Sequence, residues 1–233
     1  LPDPAAAMYG MIGVMQALYH KRRTGEGQHI EIAMTETLQS FMADSIAEYT
    51  MLGREPELMG NGHRRKVPHN IYRTRGEDSW VAISVDGKDE WEALCNIIGR
   101  PELSSDPRFL DQEVRMANRD KLDAIITEWT LNKDAWEITR QLQHLGVLAG
   151  PAYNSKDILE DEHLKARGFI VEDDHPATGR RLMTGLPWGF KNIPSPVYRH
   201  APLLAADNEY VFKEILALSE NELQDLVNRK VIH

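Results

Sequence analysis

Apolar and polar positions divide the chain into stretches of unlike character. From Ala5 to Tyr19 nearly every position is apolar or small, with Met8, Met11, Ile12, Val14, Met15, Ala17 and Leu18 spread over all sides of a 3.6-residue period. Hydrophobicity on every side predicts a helix buried on most sides. Asp3-Pro4 predicts its start, with Asp3 as the N-cap and Pro4 at the first helical position. His20-Lys21-Arg22-Arg23 puts positive charge in the last turn and Gly25 supplies the stop. Gln28 to Ala33 alternates, His29 and Glu31 against Ile30 and Ile32, which predicts a short strand. Thr35 then caps a second helix from Glu36 to about Leu52, with Leu38, Phe41, Met42, Ile46 and Tyr49 on one face.

The pattern breaks from Gly53 to Pro68, a polar, glycine-bearing stretch that marks a domain boundary. Gly60 and Gly62 let the backbone take positive φ and approach a ligand closely. Arg64, Arg65 and Lys66 follow, and two readings stand side by side: a solvated loop, or cations that attract phosphate. Beyond the break, Trp80 to Val85 predicts a strand after a turn at Arg75-Gly76-Glu77-Asp78. A helix from Lys88 to Ile98 carries Trp91, Leu94, Cys95 and Ile98 inward and is ended by Gly99-Arg100-Pro101. A second carries Leu122, Ile125, Ile126 and Trp129 inward, and a third, from about Lys133 to Leu145, carries Trp136, Ile138 and Leu142. A strand is expected within Gly146–Pro151, and a hairpin around Ala177-Thr178-Gly179-Arg180. A proline-rich connection from Pro187 to Pro202 leads to C-terminal helices, the last capped by Ser219.

Composition narrows the function. Hydrophobic residues make up 42% and charged residues 27% of the 233, ordinary for a soluble globular protein. A net charge of −9 argues against a general nucleic-acid partner. No apolar run is long enough to span a membrane, so no membrane partner is expected. The one cysteine, Cys95, reads as a small core residue in a reducing, cytoplasmic setting, and it precludes an internal disulfide or a cysteine zinc cluster. The nine histidines are scattered without a carboxylate cluster at ligand spacing, so no metal is expected. Gly25-Glu26-Gly27 lacks the third glycine of a dinucleotide loop and precedes a strand, so it reads as a turn.

Two blocks of residues carry a family resemblance. Asp3, the small residues after it and the run Arg23-Thr24-Gly25-Glu26-Gly27-Gln28-His29-Ile30-Glu31-Ile32-Ala33-Met34-Thr35-Glu36 resemble the family III CoA-transferases, which include carnitine, bile-acid and formyl-CoA transferases and alpha-methylacyl-CoA racemase. The Trp91 helix, Gly99-Arg100-Pro101-Glu102-Leu103, Asp106-Pro107-Arg108-Phe109 and Arg115 with Asn118-Arg119 are similar to that family's small domain. The resemblance implies an α/β fold: a large-domain segment over residues 1–58, a small α+β domain over 59–186, and a return segment with C-terminal helices over 187–233. It implies an interlocked homodimer, with which the proline-rich return near Pro194 and Pro196 is compatible, and an N-terminal half, Rossmann-like, ahead of Leu1.

In activity it implies a CoA-transferase with acyl-CoA and a carboxylic acid as substrates and no permanently bound cofactor. Asp3 would be the nucleophile, passing through an aspartyl anhydride and an aspartyl-CoA thioester. Gly60 and Gly62 would belong to a lid or oxyanion loop, and Arg64, Arg65 and Lys66 to the CoA site. Three alternatives stay open. One is a racemase in which Asp3 is one of two bases, its histidine partner lying upstream; another is a non-catalytic fragment; the last leaves Asp3 a plain helix cap.

Overall fold

The computed structural model describes residues 1–193 and 199–232. Its fold is mixed α/β, rich in helix with two small sheets. The proline-rich return at Pro194 and Pro196 lies outside the described residues.

Helix α1 runs Pro2–Thr24. Pro2 takes the first helical position, where a fixed φ and a missing N–H cost nothing, so the helix starts two residues early. Asp3 therefore sits inside the first turn, and Leu1, not Asp3, is the cap. The stop is as expected: Gly25 has φ 83° and its N–H bonds the Lys21 carbonyl at 2.8 Å. The burial expected of α1 is not found. Ala5 is its one buried residue, while Met8 is 61% and Met15 62% exposed. The residues that follow cover only one strip. Ile32 and Ile30 lie over Gly10 and Gly13, so close that a Cβ would stand 3.4 and 3.3 Å from them. Tyr9 reaches Ser40 (O–O 2.8 Å) and meets Phe41 edge-on.

The 28–33 stretch is not a strand, because among the described residues no neighbouring strand pairs with it. The second helix is also broken: α2 spans Met34–Gln39, a 3-10 turn Ser40–Met42, and α3 Ala43–Leu52. Ala33, not Thr35, occupies the cap; the buried Thr37 hydroxyl bonds back to the Ala33 carbonyl at 3.0 Å.

The main core closes on a three-stranded antiparallel sheet ordered β1 (His69–Arg73), β2 (Trp80–Ser84), β3 (Leu148–Pro151). β1 was not foreseen. Alternation sends Tyr72, Val81 and Ile83 inward and leaves His69, Ile71, Ala82, Ser84 and Leu148 on the other face. The inner face is covered by α4 (Lys88–Ile97), α6 (Arg119–Thr130) and α7 (Ala135–His144), through Trp91, Leu94, Cys95, Leu122, Ile126, Ile138 and Leu142. Between α4 and α6 lies α5 (Gln112–Ala117), whose Arg115 is buried. Its guanidinium donates to the Val67 and Phe109 carbonyls and to Gln112, and stacks 4.9 Å over the Trp91 ring. Trp136 does not join this core. The buried stripe of α7 is Ala135, Ile138, Thr139 and Leu142, and Trp136 lies off it, 40% exposed and against Tyr153.

Short helices α8 (Ser155–Glu160) and α9 (Glu162–Ala166) lead to the expected hairpin, β4 (Ile170–His175) with β5 (Gly179–Thr184). A π-helical segment Glu209–Ile215 precedes α10 (Glu220–Asn228), which Ser219 and Glu222 start with a reciprocal capping box.

Candidate functional site

Asp3 is an exposed carboxylate in the first turn of α1. The amides of that turn carry the positive end of a 23-residue helix, an environment that favours an anion. Among the described residues no ion pair or side-chain hydrogen bond engages it. It lines neither of the two cavities beside the glycine loop, so the structure does not bring it together with Gly60 and Gly62.

The loop itself is a tight turn. Gly60 has φ 58°, and the Gly62 N–H bonds the Met59 carbonyl at 2.9 Å. A Cβ on Gly62 would meet that carbonyl at 3.1 Å, so this close approach calls for glycine. One amide proposed for oxyanion binding is thus already engaged. The basic run divides as well. Arg64, with Arg54, binds Glu48, and the Arg64 guanidinium is the main reason that Glu48 sits below the ordinary carboxylate range. Lys66 pairs with Asp86 at 3.0 Å. Arg65 has an exposed side chain; its carbonyl accepts from Gln112.

Two cavities flank this turn. The smaller, about 170 Å3, is lined by Met59, His63, Lys66, Arg119 and Asp123 among others. The larger, about 560 Å3, lies over the outer face of the sheet, between Gly60 and Asn61 on one side and Ile71, Ala82, Ser84 and Leu148. His69 and Asn70 line both. On the inner side, Asn70 and the Tyr72 hydroxyl both donate to Asp123 of α6, at 2.8 and 2.6 Å. Burial, then the Asp123 charge, pushes the Tyr72 phenol far up. On the outer side, His69 Nδ1 lies 2.8 Å from Ser84 Oγ, its register partner on β2, with the His63 ring 5.1 Å away. Burial, His63 and Lys66 hold His69 below the ordinary histidine range.

Sequence reasoning missed the His69–Ser84 pair because it assigned no element between Pro68 and the turn at Arg75. The available signal was the β-forming run Ile71-Tyr72-Arg73-Thr74. Cys95 is fully buried and burial pushes its thiol up to about 12, which suits the inert core role. Among the described residues no group of His, Cys, Asp and Glu could hold a metal ion, and no helix is long and apolar enough to cross a membrane.

Comparison with known proteins places these features in a lineage. The sequence profile described as CoA-transferase family III matches residues 1–208. The chain is 32% identical over 230 residues to a succinyl-CoA–D-citramalate CoA-transferase of Chloroflexus aurantiacus, covering 99% of the chain and 57% of that protein. It is 34% identical over 204 residues to a succinyl-CoA:mesaconate CoA-transferase of Haloarcula marismortui, covering 87% of the chain and 50% of that protein. The crystal structure of a CAIB/BAIF family protein from Brucella suis superposes with a TM-score of 0.80 at 27% identity, over 90% of the chain and 54% of that structure. The chain thus spans about half the length of these relatives.

Proposed function

Since the chain belongs to CoA-transferase family III, we propose that the protein carrying it moves CoA between an acyl-CoA and a free carboxylic acid, with Asp3 as the nucleophile. The reading is carried by the position of Asp3 within the matched stretch: an exposed, unpaired carboxylate in the first turn of an apolar helix. An Asp3 oxygen adds to the thioester carbonyl, the C–S bond breaks, and CoA thiolate leaves a mixed aspartyl anhydride. The thiolate then adds to the aspartyl carbonyl, releasing the first acid as its carboxylate and leaving an aspartyl-CoA thioester. The incoming carboxylate displaces thiolate to form a second anhydride, and thiolate attack on the new acyl carbonyl frees Asp3. Covalent catalysis here replaces one difficult exchange by easier ones.

Within this chain the turn at Gly60 and Gly62 does not reach Asp3; brought to it by assembly of the interlocked homodimer, the turn is our candidate for shielding the anhydride from water, with the Gly60 amide as the remaining oxyanion donor. Of the basic run, Arg65 is left to meet a CoA phosphate. The names of the relatives suggest short dicarboxylic acids as substrates. The same reading divides the chain into a large-domain segment (1–58), a small domain (59–186) and a return segment (187–233), in a cytoplasmic, interlocked homodimer.

The test is substitution in the full-length protein. Asp3→Asn and Asp3→Ala should each abolish CoA transfer, at least ~10^4-fold in kcat, with an unchanged circular dichroism spectrum and melting temperature. Near-normal transfer by either variant overturns the assignment.

A further inference from the structure

Two chain reversals bring two arginines to one carboxylate. Gly53, at φ 66°, ends α3 and gives its N–H to the Tyr49 carbonyl, so that Arg54 turns back along the helix. The Arg54 Nε–H donates to Glu48 Oε1 at 2.7 Å. Further on, past the turn at Gly60 and Gly62, the Arg64 guanidinium donates to the other oxygen, Oε2. The Glu48 side chain is 10% exposed, whereas Arg54 is 66% and Arg64 48% exposed. The carboxylate is covered, and both guanidiniums keep a side open to solvent.

Charge and donors are left over. One carboxylate faces two guanidiniums, an excess of one positive charge. Each guanidinium carries five N–H groups and gives one to Glu48. Glu55 and Glu57, the acids of the intervening loop, make no ion pair with either arginine among the described residues. Lys66 is different, because Asp86 matches it charge for charge. Without Glu48 the two arginines would repel each other; with it they are held together before any ligand arrives. A carboxylate ligand has two oxygens, which suit a single guanidinium fork. A phosphate group has three acceptor oxygens and a larger charge, so it can bridge two forks.

We propose that Arg54 and Arg64, organised by Glu48, form a binding site for a phosphate group. The source of that group, the acyl-CoA, rests on the CoA-transfer reading above, and the site adds Arg54 and Arg64 to Arg65. The two arginines touch the ligand. Glu48 is a positioning residue that acts through them.

Two measurements on the full-length protein test it. The first is titration calorimetry with CoA and with pantetheine, which has no phosphate. Arg54→Gln and Arg64→Gln should each raise the Kd of CoA at least about tenfold, the effect of one lost hydrogen bond between charged groups. Pantetheine should stay within about twofold. Arg64→Lys keeps the charge without the fork and should recover part of the loss. Glu48→Gln removes a negative charge, so it tightens CoA binding if Glu48 only neutralises the arginines and weakens it if Glu48 organises them. Tighter binding overturns the proposal. Equal losses for CoA and pantetheine, or a lower melting temperature with unchanged CoA affinity in all these variants, overturn it too.

The second measurement modifies arginines with phenylglyoxal and follows the peptides containing Arg54 and Arg64 by mass spectrometry. Inorganic pyrophosphate and CoA should each protect both arginines, and succinate should not. Protection by pyrophosphate in a protein that transfers no CoA upholds the phosphate site and sinks the CoA-transfer reading instead. CoA transfer by a protein whose two arginines neither CoA nor pyrophosphate protects overturns this assignment and leaves that reading intact. Equal protection by succinate does the same.

Discussion

Helix α1 and the helices on the sheet use apolar residues in opposite ways. In α4, α6 and α7 they form one stripe, and that stripe is buried: Leu94, Leu122, Ile126, Ile138 and Leu142 are fully enclosed. In α1 they surround the axis, and Met8, Met11, Ile12, Met15 and Leu18 are all more than half exposed. A stripe needs one neighbouring surface, which the sheet supplies; a helix apolar on all sides needs several. The described residues give α1 only what the 30–42 segment supplies: the Ile30–Ile32 strip, helix α2 and the Tyr9 contacts. The segment proposed to carry the chemistry is therefore the one that this chain leaves uncovered, and contiguous apolar surface of that kind marks an interface.

That contrast can be broken by substitution. Ile126→Ala in the core should cost about 2–5 kcal/mol of unfolding free energy, since a cavity replaces a fully buried side chain. Met11→Ala, at 52% exposure, should change the stability of the isolated chain by no more than about 0.5 kcal/mol. Urea titrations of both variants measure the difference. A loss at Met11 equal to that at Ile126 would show α1 to be covered in solution.

What the sequence made legible follows the same line. The stripes of α4, α6 and α7, the Cys95 environment, the hairpin and the Ser219–Glu222 capping box all depend on residues close together in the chain. Misreadings arose where a distant partner decides. Asn70, which the pattern assigned to no element, holds Asp123, 53 positions away, from within a strand. Arg64 and Lys66 look like free cations, yet Glu48 and Asp86 had already claimed them. Gln28–Ala33 has strand alternation but no strand beside it among the described residues. Asp3 was singled out by family resemblance alone, and its place inside the first turn, not at the cap, follows from Pro2.

A smaller effect sharpens the contrast on the side of the sheet and its helices. The Arg108 guanidinium, and then the Arg108 backbone N–H, hold Asp106 down at about 2, against an ordinary value of 3.8. A lowered carboxyl stabilises the folded state fully above its unfolded value and loses that contribution as pH falls through its folded one. The urea midpoint of the wild type should therefore fall between pH 4 and pH 2 by more than that of Asp106→Asn. Because Arg108 is exposed and Asp106 only partly covered, the difference should be modest and should shrink in high salt. Parallel pH profiles for the two proteins would remove Asp106 from the acid response.

The most direct measurement is chemical trapping on the full-length protein. Incubation with succinyl-CoA in deuterated water, then hydroxylamine, then mass spectrometry of the peptide that contains Asp3 should find a hydroxamate on Asp3, the product of an anhydride or thioester at that carboxyl. An unmodified Asp3, whether or not deuterium enters the α-carbon of the acyl group, would contradict a covalent Asp3 intermediate.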